Sequence, residues 1–146
     1  MSKINVIDVS KLMVYQRSFN VSVEVYKLTK NLKLYSLKDQ ILRSSSSVFA
    51  NISEGMMFRN FYPNKTATFL ATSLGSCNET KAWLMYLKSI AVIDSSDTDK
   101  LINKCSQISL MLCSMINKIY AETESSVLKT SLKTTKPPFD ESYLPF

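Results

Sequence analysis

SDTDKLINKCSQISLMLCSMINKIYAE, residues 96–122, is the most regular segment of this 146-residue chain. Leu101, Cys105, Ile108, Leu112, Met115 and Ile119 recur at alternating intervals of four and three, an a/d seam kept up for about three heptads. Ser96-Asp97-Thr98-Asp99 in front of it has the form of a capping box, and Glu122 closes the helix. Such a seam is either the inward face of one helix or a contact between copies of the chain; the inward face is the simpler reading.

Moving towards the N-terminus, Ala67, Leu70, Leu74, Cys77, Leu84 and Leu87 line one side of a helix from Pro63 to about Ile93, with Pro63 in the first turn, where proline is tolerated. Gly75 lies mid-helix at a cost of about 1 kcal/mol relative to Ala, so a close helix crossing is expected there. Residues 56–62 form an aromatic connection, and Gly55 before it is a natural helix stop. Ser36-Leu37-Lys38-Asp39 is a second capping-box pattern, followed by a stripe of Leu37, Ile41, Val48 and Ile52. The small residues Ser44–Ser47 within that stripe mark a place for close packing. From about 10 to 33 no Gly or Pro occurs, and Leu12, Tyr15, Phe19, Val23 and Tyr26 recur at helical spacing. Phe19, Val21, Val23 and Val25 also alternate as a half-buried strand would, but the uninterrupted length favours a helix.

The expectation is therefore an all-α protein, an antiparallel up-down-up-down four-helix bundle over residues 10–122. Residues 1–9 read as a short leader. Residues 123–146 read as a flexible tail rich in Ser, Thr and Lys, in which Phe139, Tyr143, Leu144 and Phe146 form a possible docking peptide. Phe58, Phe61, Phe69, Trp83 and Met85 lie off the main seams and suggest a self-association surface.

Composition narrows the chemistry. The two glycines cannot build a phosphate-cradling loop, and with no His there is no His general base, His-activated nucleophile or His-ligated metal. An enzyme is not expected, and no cofactor or metal. The three cysteines, Cys77, Cys105 and Cys113, have no C-x-x-C spacing and sit in apolar helical stretches. They read as reduced, buried small hydrophobes of a cytoplasmic protein. No signal sequence or membrane-spanning run is expected. Lys and Arg total 18 against 12 Asp and Glu, a net charge of +6. Residues 11–65 hold nine basic and three acidic side chains, so the whole excess lies in the first half. That imbalance favours a polyanionic partner, although a merely solvated basic face has the same composition.

Four segments carry a family resemblance. Val25-Tyr26-Lys27-Leu28-Thr29-Lys30, Leu37-Lys38-Asp39-Gln40-Ile41-Leu42-Arg43, Ser47-Val48-Phe49-Ala50-Asn51-Ile52-Ser53-Glu54-Gly55 and Phe69–Thr80 resemble the four-helix-bundle proteins encoded in intervening sequences of 23S ribosomal RNA genes. The resemblance spans about residues 10–120 and rests most on Asn51, Glu54 and Gly55 and on Gly75, Asn78 and Glu79. It implies a bundle that assembles as a ring-like homopentamer. A distant relative of the same fold is the accessory variability determinant of diversity-generating retroelements, which binds RNA and a reverse transcriptase. Where members commonly carry two adjacent basic residues this chain has Arg43-Ser44, and after the Glu-Gly it has Met56-Met57-Phe58-Arg59 in place of a stretch rich in Gly and Arg.

The candidate nucleic-acid-binding residues are Lys27, Lys30, Lys33, Lys38, Arg43, Arg59 and Lys65. Tyr26, Tyr35, Phe58, Phe61 and Tyr62 lie among them and are able to stack on unpaired bases, or to serve as core or interface aromatics. Glu54 and Glu79 suit an acid–base pair on paper, but with Asn51 and Asn78 as amide partners they read better as a structural network between the second and third helices. The expected function is that of a non-enzymatic, basic, oligomeric bundle binding RNA or DNA, an accessory factor beside a partner such as a reverse transcriptase. The alternative is a protein-interaction scaffold that uses the ring surface or the aromatic tail.

Overall fold

The structure, a computed structural model, describes residues 5–134. Four α-helices follow one another, α1 (Met13–Thr29), α2 (Tyr35–Met56), α3 (Pro63–Ser89) and α4 (Ser95–Thr134). Each packs on its neighbour in sequence and α4 returns to α1, which is the expected antiparallel four-helix bundle. No strand occurs among the described residues.

The a/d seam of α4 faces inward: Leu101, Cys105, Ile108, Leu112 and Ile119 are buried and Met115 is half-buried. Opposite it lie Ala67, Leu70, Cys77, Leu84 and Leu87 of α3, and Ile41, Val48 and Ile52 of α2. Between α2 and α3 the approach is close because small hydroxyl residues replace large ones. Thr80 donates to Ser44 Oγ at 3.0 Å, Ser73 to the Val48 carbonyl at 2.8 Å, and Ser47 and Ser76 share a hydrogen bond of 2.9 Å. The Ser44–Ser47 run is thus a helix crossing, as its spacing indicates.

α1 settles the competition between helix and strand and corrects the face. Its buried side is Val14, Ser18, Val21, Val25 and Thr29. Two residues apart on a helix is about 200°, so alternation places Val21 and Val25 inside and Phe19 and Val23 outside. Phe19, Val23 and Tyr26 are exposed, contrary to the stripe read from sequence. Tyr15, Phe19 and Phe49 of α2 form an aromatic cluster on this outer surface, with Phe19 and Phe49 ring centres 5.3 Å apart.

Several local expectations also change. Neither capping-box serine caps its helix. α2 begins one residue earlier, without a side-chain cap. At α4 the cap is Asp94, whose carboxylate accepts from the Asp97 N–H at 3.0 Å and whose carbonyl accepts from the buried Thr98 hydroxyl. Gly55 does not end α2 through a left-handed turn, since no glycine has positive φ. It is buried in the last turn where α3 comes close, and its carbonyl accepts from Thr66 Oγ1 at 2.9 Å. No crossing lies at Gly75, where an added Cβ meets nothing within 4 Å.

α3 ends in a Schellman turn: Ala91 donates to the Lys88 carbonyl and Val92 to that of Leu87, with Ala91 at φ 56° in the position where glycine is usual. α4 does not stop at Glu122. Residues 123–134 contain no Gly or Pro, and the helix continues through them with Ser and Thr hydroxyls bonded back to preceding carbonyls, but none of the side chains described there is buried. The rest of the tail reading, residues 135–146 with the docking aromatics, lies outside the described residues, as do residues 1–4 of the leader. Residues 5–9 belong to the folded unit. Ile7 and Val9 pack on the core and Asn60 donates to the Asn5 carbonyl at 3.1 Å. A 3₁₀ turn over Val9–Lys11 is capped by Asp8, whose carboxyl is held below its ordinary range chiefly by hydrogen bonds from Ser10.

Candidate nucleic-acid interface

The seven basic candidates do not form one patch. An α-helix rises 1.5 Å per residue, so the 22 residues of α2 put its two flanking links about 33 Å apart. Lys27, Lys30, Lys33 and Lys38 gather at the end where α1 turns into α2. Arg43 stands on the flank of α2. Arg59 and Lys65 lie at the opposite end of the bundle.

At the α1–α2 end the lysines have different duties. Lys38 reaches back to the Lys30 carbonyl at 2.8 Å and so caps the C-terminus of α1 from the next helix. Lys27, Lys30 and Lys33 are exposed, and among the described residues none of their side chains has an ion-pair partner. Tyr26 and Tyr35 flank them at 56% and 72% exposure, too open for core residues. Lys88 and Lys100, which sequence reading did not single out, share this end on α3 and α4. They are held by Asp99 at 2.6 Å and Asp97 at 3.2 Å, so their charge is locally compensated. For Lys100 the acidic neighbour one turn away was the available signal, whereas Lys88 meets Asp99 only across the α3–α4 link. The uncompensated charge is therefore on the α1–α2 side of the tip.

At the other end, Arg59 is ion-paired to Glu122 and ties the α2–α3 link to α4. Lys65 lies over the Phe58 ring, 3.7 Å from its centre, a cation–π contact. Phe58 stacks on Phe69 at 5.9 Å and meets Phe61 edge-on. These two cations are engaged by the fold, and Phe58 and Phe69 are packing aromatics. Phe61 and Tyr62 remain exposed.

The six family-motif residues divide as well. Asn51 donates to the carbonyl and hydroxyl of Ser47, not to Glu54. Asn78 accepts from Ser109 of α4 at 3.3 Å. Glu79 accepts from the Trp83 indole one turn on, at 3.4 Å. Glu54 is exposed and makes no such bond. The expected network of Glu54, Glu79 and the two amides is thus absent, because Ile52, Gly55 and Met56 occupy the inward face of that turn and leave Glu54 pointing outward. Arg43 and Glu79 instead border an open, hydroxyl-floored cleft with Gln40, Ser47 and Ser76. Among the described residues no group of three or more Cys, Asp or Glu side chains is placed to hold a metal ion. Among the described residues no helix is long and apolar enough to cross a membrane.

Comparison with known proteins adds two findings. The family model described as "23S rRNA-intervening sequence protein" matches residues 10–114. A solved structure of a protein of unknown function from the S23 ribosomal protein family of Bacteroides thetaiotaomicron is similar to this chain, with a TM-score of 0.65 and 29% sequence identity over 71% of this chain and 98% of that one. No curated protein matches.

Proposed function

We propose, from the premise that this chain belongs to the 23S rRNA-intervening sequence protein family, that it is a non-enzymatic basic bundle that binds RNA or another nucleic acid through its α1–α2 end. The observation that carries this reading is the trio Lys27, Lys30 and Lys33, unpaired and set beside exposed Tyr26 and Tyr35. Unpaired ammonium groups attract phosphates, and tyrosine rings next to them offer stacking surfaces for unpaired bases. The chain works in this reading as an accessory factor of an RNA or retroelement system, beside an enzyme such as a reverse transcriptase. It does so as a ring-like homopentamer, which repeats the tip around an axis.

The test is fluorescence anisotropy of a labelled single-stranded RNA across a salt series. Each phosphate contact on a single strand contributes about 0.7 to the slope of log affinity against log salt. Replacing Lys27, Lys30 and Lys33 together with Gln is expected to flatten that slope by about 2, while Lys65→Gln leaves it nearly unchanged. Absence of binding at low salt by an intact oligomer overturns the reading.

A second reading, a protein-interaction scaffold without nucleic acid, is favoured by exposed Phe19, which stands on the half-buried rings of Tyr15 and Phe49. Capture of a partner that survives nuclease treatment and is lost on Phe19→Asp would support it.

A further inference from the structure

Cys77 of α3 and Cys105 of α4 are buried thiols that meet in the middle of the bundle. Cys77 Sγ donates to the Cys105 carbonyl at 3.3 Å. Ser109, one turn further along α4, approaches Cys77 Sγ with its hydroxyl at 3.6 Å. A void bounded by Ser18, Ser45 and Thr80 adjoins both cysteines and is too narrow for a water molecule, which leaves the sulfurs some freedom to move but no solvent to hydrate them. The third cysteine, Cys113, is exposed on α4, outside this core.

We propose that Cys77 and Cys105 form a reactive dithiol, which a hydroperoxide converts into an intrachain disulfide cross-linking α3 to α4. Cys77 Sγ touches the main chain of Cys105 and both cysteines line the same narrow void, so the two side chains face one another across the α3–α4 seam, and closure runs by their rotation together with whatever helix approach a disulfide's span demands. The two thiols are also unlike. Hydrogen bonding, first from the Cys105 thiol and also from Ser109, draws the Cys77 thiol down to about 7 against the opposing effect of burial. The same bond and burial push the Cys105 thiol up. Of the two, Cys77 is the sulfur that ionises once its S–H turns away from the Cys105 carbonyl to leave Sγ accepting from Ser109, and Cys105 keeps its proton until the second step.

In the first step the Cys77 thiolate attacks one peroxide oxygen and the O–O bond breaks. Hydroxide departs with the proton that Cys77 gave up, leaving as water through the locally opened seam, and Cys77 becomes a sulfenic acid. In the second step the Cys105 sulfur attacks the Cys77 sulfur. The S–O bond breaks, and hydroxide leaves with the Cys105 proton as a second water. Two thiols lose two electrons and one peroxide gains them. Burial restricts the reaction to small oxidants that enter during local opening of the α3–α4 seam.

The test uses the full chain carrying Cys113→Ser, so that only these two thiols remain. The folded protein is treated with hydrogen peroxide above neutral pH, quenched, unfolded, alkylated and weighed by intact-mass spectrometry. The expected result is loss of two hydrogens and of both alkylation sites on a single chain, restored by dithiothreitol. Retention of both alkylatable thiols overturns the proposal, as does accumulation of Cys77 as sulfinic acid beside a free Cys105, or cross-linking between chains. In the same background Cys105→Ala is expected to leave a sulfenic acid at Cys77 that dimedone traps. Should that variant fail to fold, the Cys113→Ser chain alone still decides.

Discussion

A Cβ added at Gly55 would sit 2.6 Å from Cβ of Phe69, a rigid atom that cannot swing aside, whereas one added at Gly75 meets nothing within 4 Å. Neither glycine has positive φ, so conformational need does not distinguish them. Gly55→Ala is expected to destabilise the protein by about 1–3 kcal/mol through overpacking between α2 and α3. Gly75→Ala is expected to stabilise it by about 0.5–1 kcal/mol, the ordinary gain of replacing an exposed mid-helix glycine. Urea unfolding of the two variants gives both signs in one experiment. A loss at Gly75 would mean that something outside the single chain packs against it. The sequence marks both glycines as backbone features, but only the position of Phe69 tells that one of them is a packing requirement.

The link between α3 and α4 shows what governs these helices at their ends. Asp94 receives the Asp97 N–H, so Asp94→Ala is expected to cost about 1 kcal/mol, while Ser96→Ala, inside the first turn, costs almost nothing. Ala91 holds a left-handed conformation that a Cβ disfavours by about 1–2 kcal/mol. Ala91→Gly is accordingly expected to raise the thermal midpoint, measured by circular dichroism. These are the places where local sequence was ambiguous. Asp94, Ser95 and Ser96 are all competent caps, and a capping-box pattern in the next register does not say which one sits outside the helix. The heptads of α4 were legible because one apolar stripe among polar residues has a single way to be buried. In α1 the stripe read from sequence holds for Leu12 and Tyr15, which pack on the core, but Phe19, Val23 and Tyr26 lie outside it, since the core there is filled by Val14, Val21 and Val25 with Ser18 and Thr29. Aromatic size signals something to cover, and in this helix the cover is not in the bundle's own core.

At the scale of the whole molecule the division of the basic residues follows from connectivity. Consecutive links of an up-down bundle lie at opposite ends, so Lys33 and Arg59 cannot share a tip of one chain however near they are in sequence. The α1–α2 tip of one chain then offers three lysines with no ion-pair partner among the described residues, and three phosphate contacts to a single strand release only about two counterions, which is weak, salt-sensitive binding. The proposed ring changes this by repetition, because tethered copies of a weak site act at high effective concentration. The surface that would join copies is the outer side of α1 with Phe49, where Phe19 is 44% exposed despite its two aromatic contacts. Phe19→Asp combined with Val23→Asp touches none of the buried α1 residues, so the monomer is expected to keep its helical circular dichroism. Light scattering is expected to fall to the mass of one chain, and the salt slope of RNA binding to shrink towards the single-chain value of about 2. An unchanged scattering mass would place the joint elsewhere on the bundle. A single-chain mass with an undiminished salt slope would mean that one tip suffices, and that repetition contributes nothing to binding.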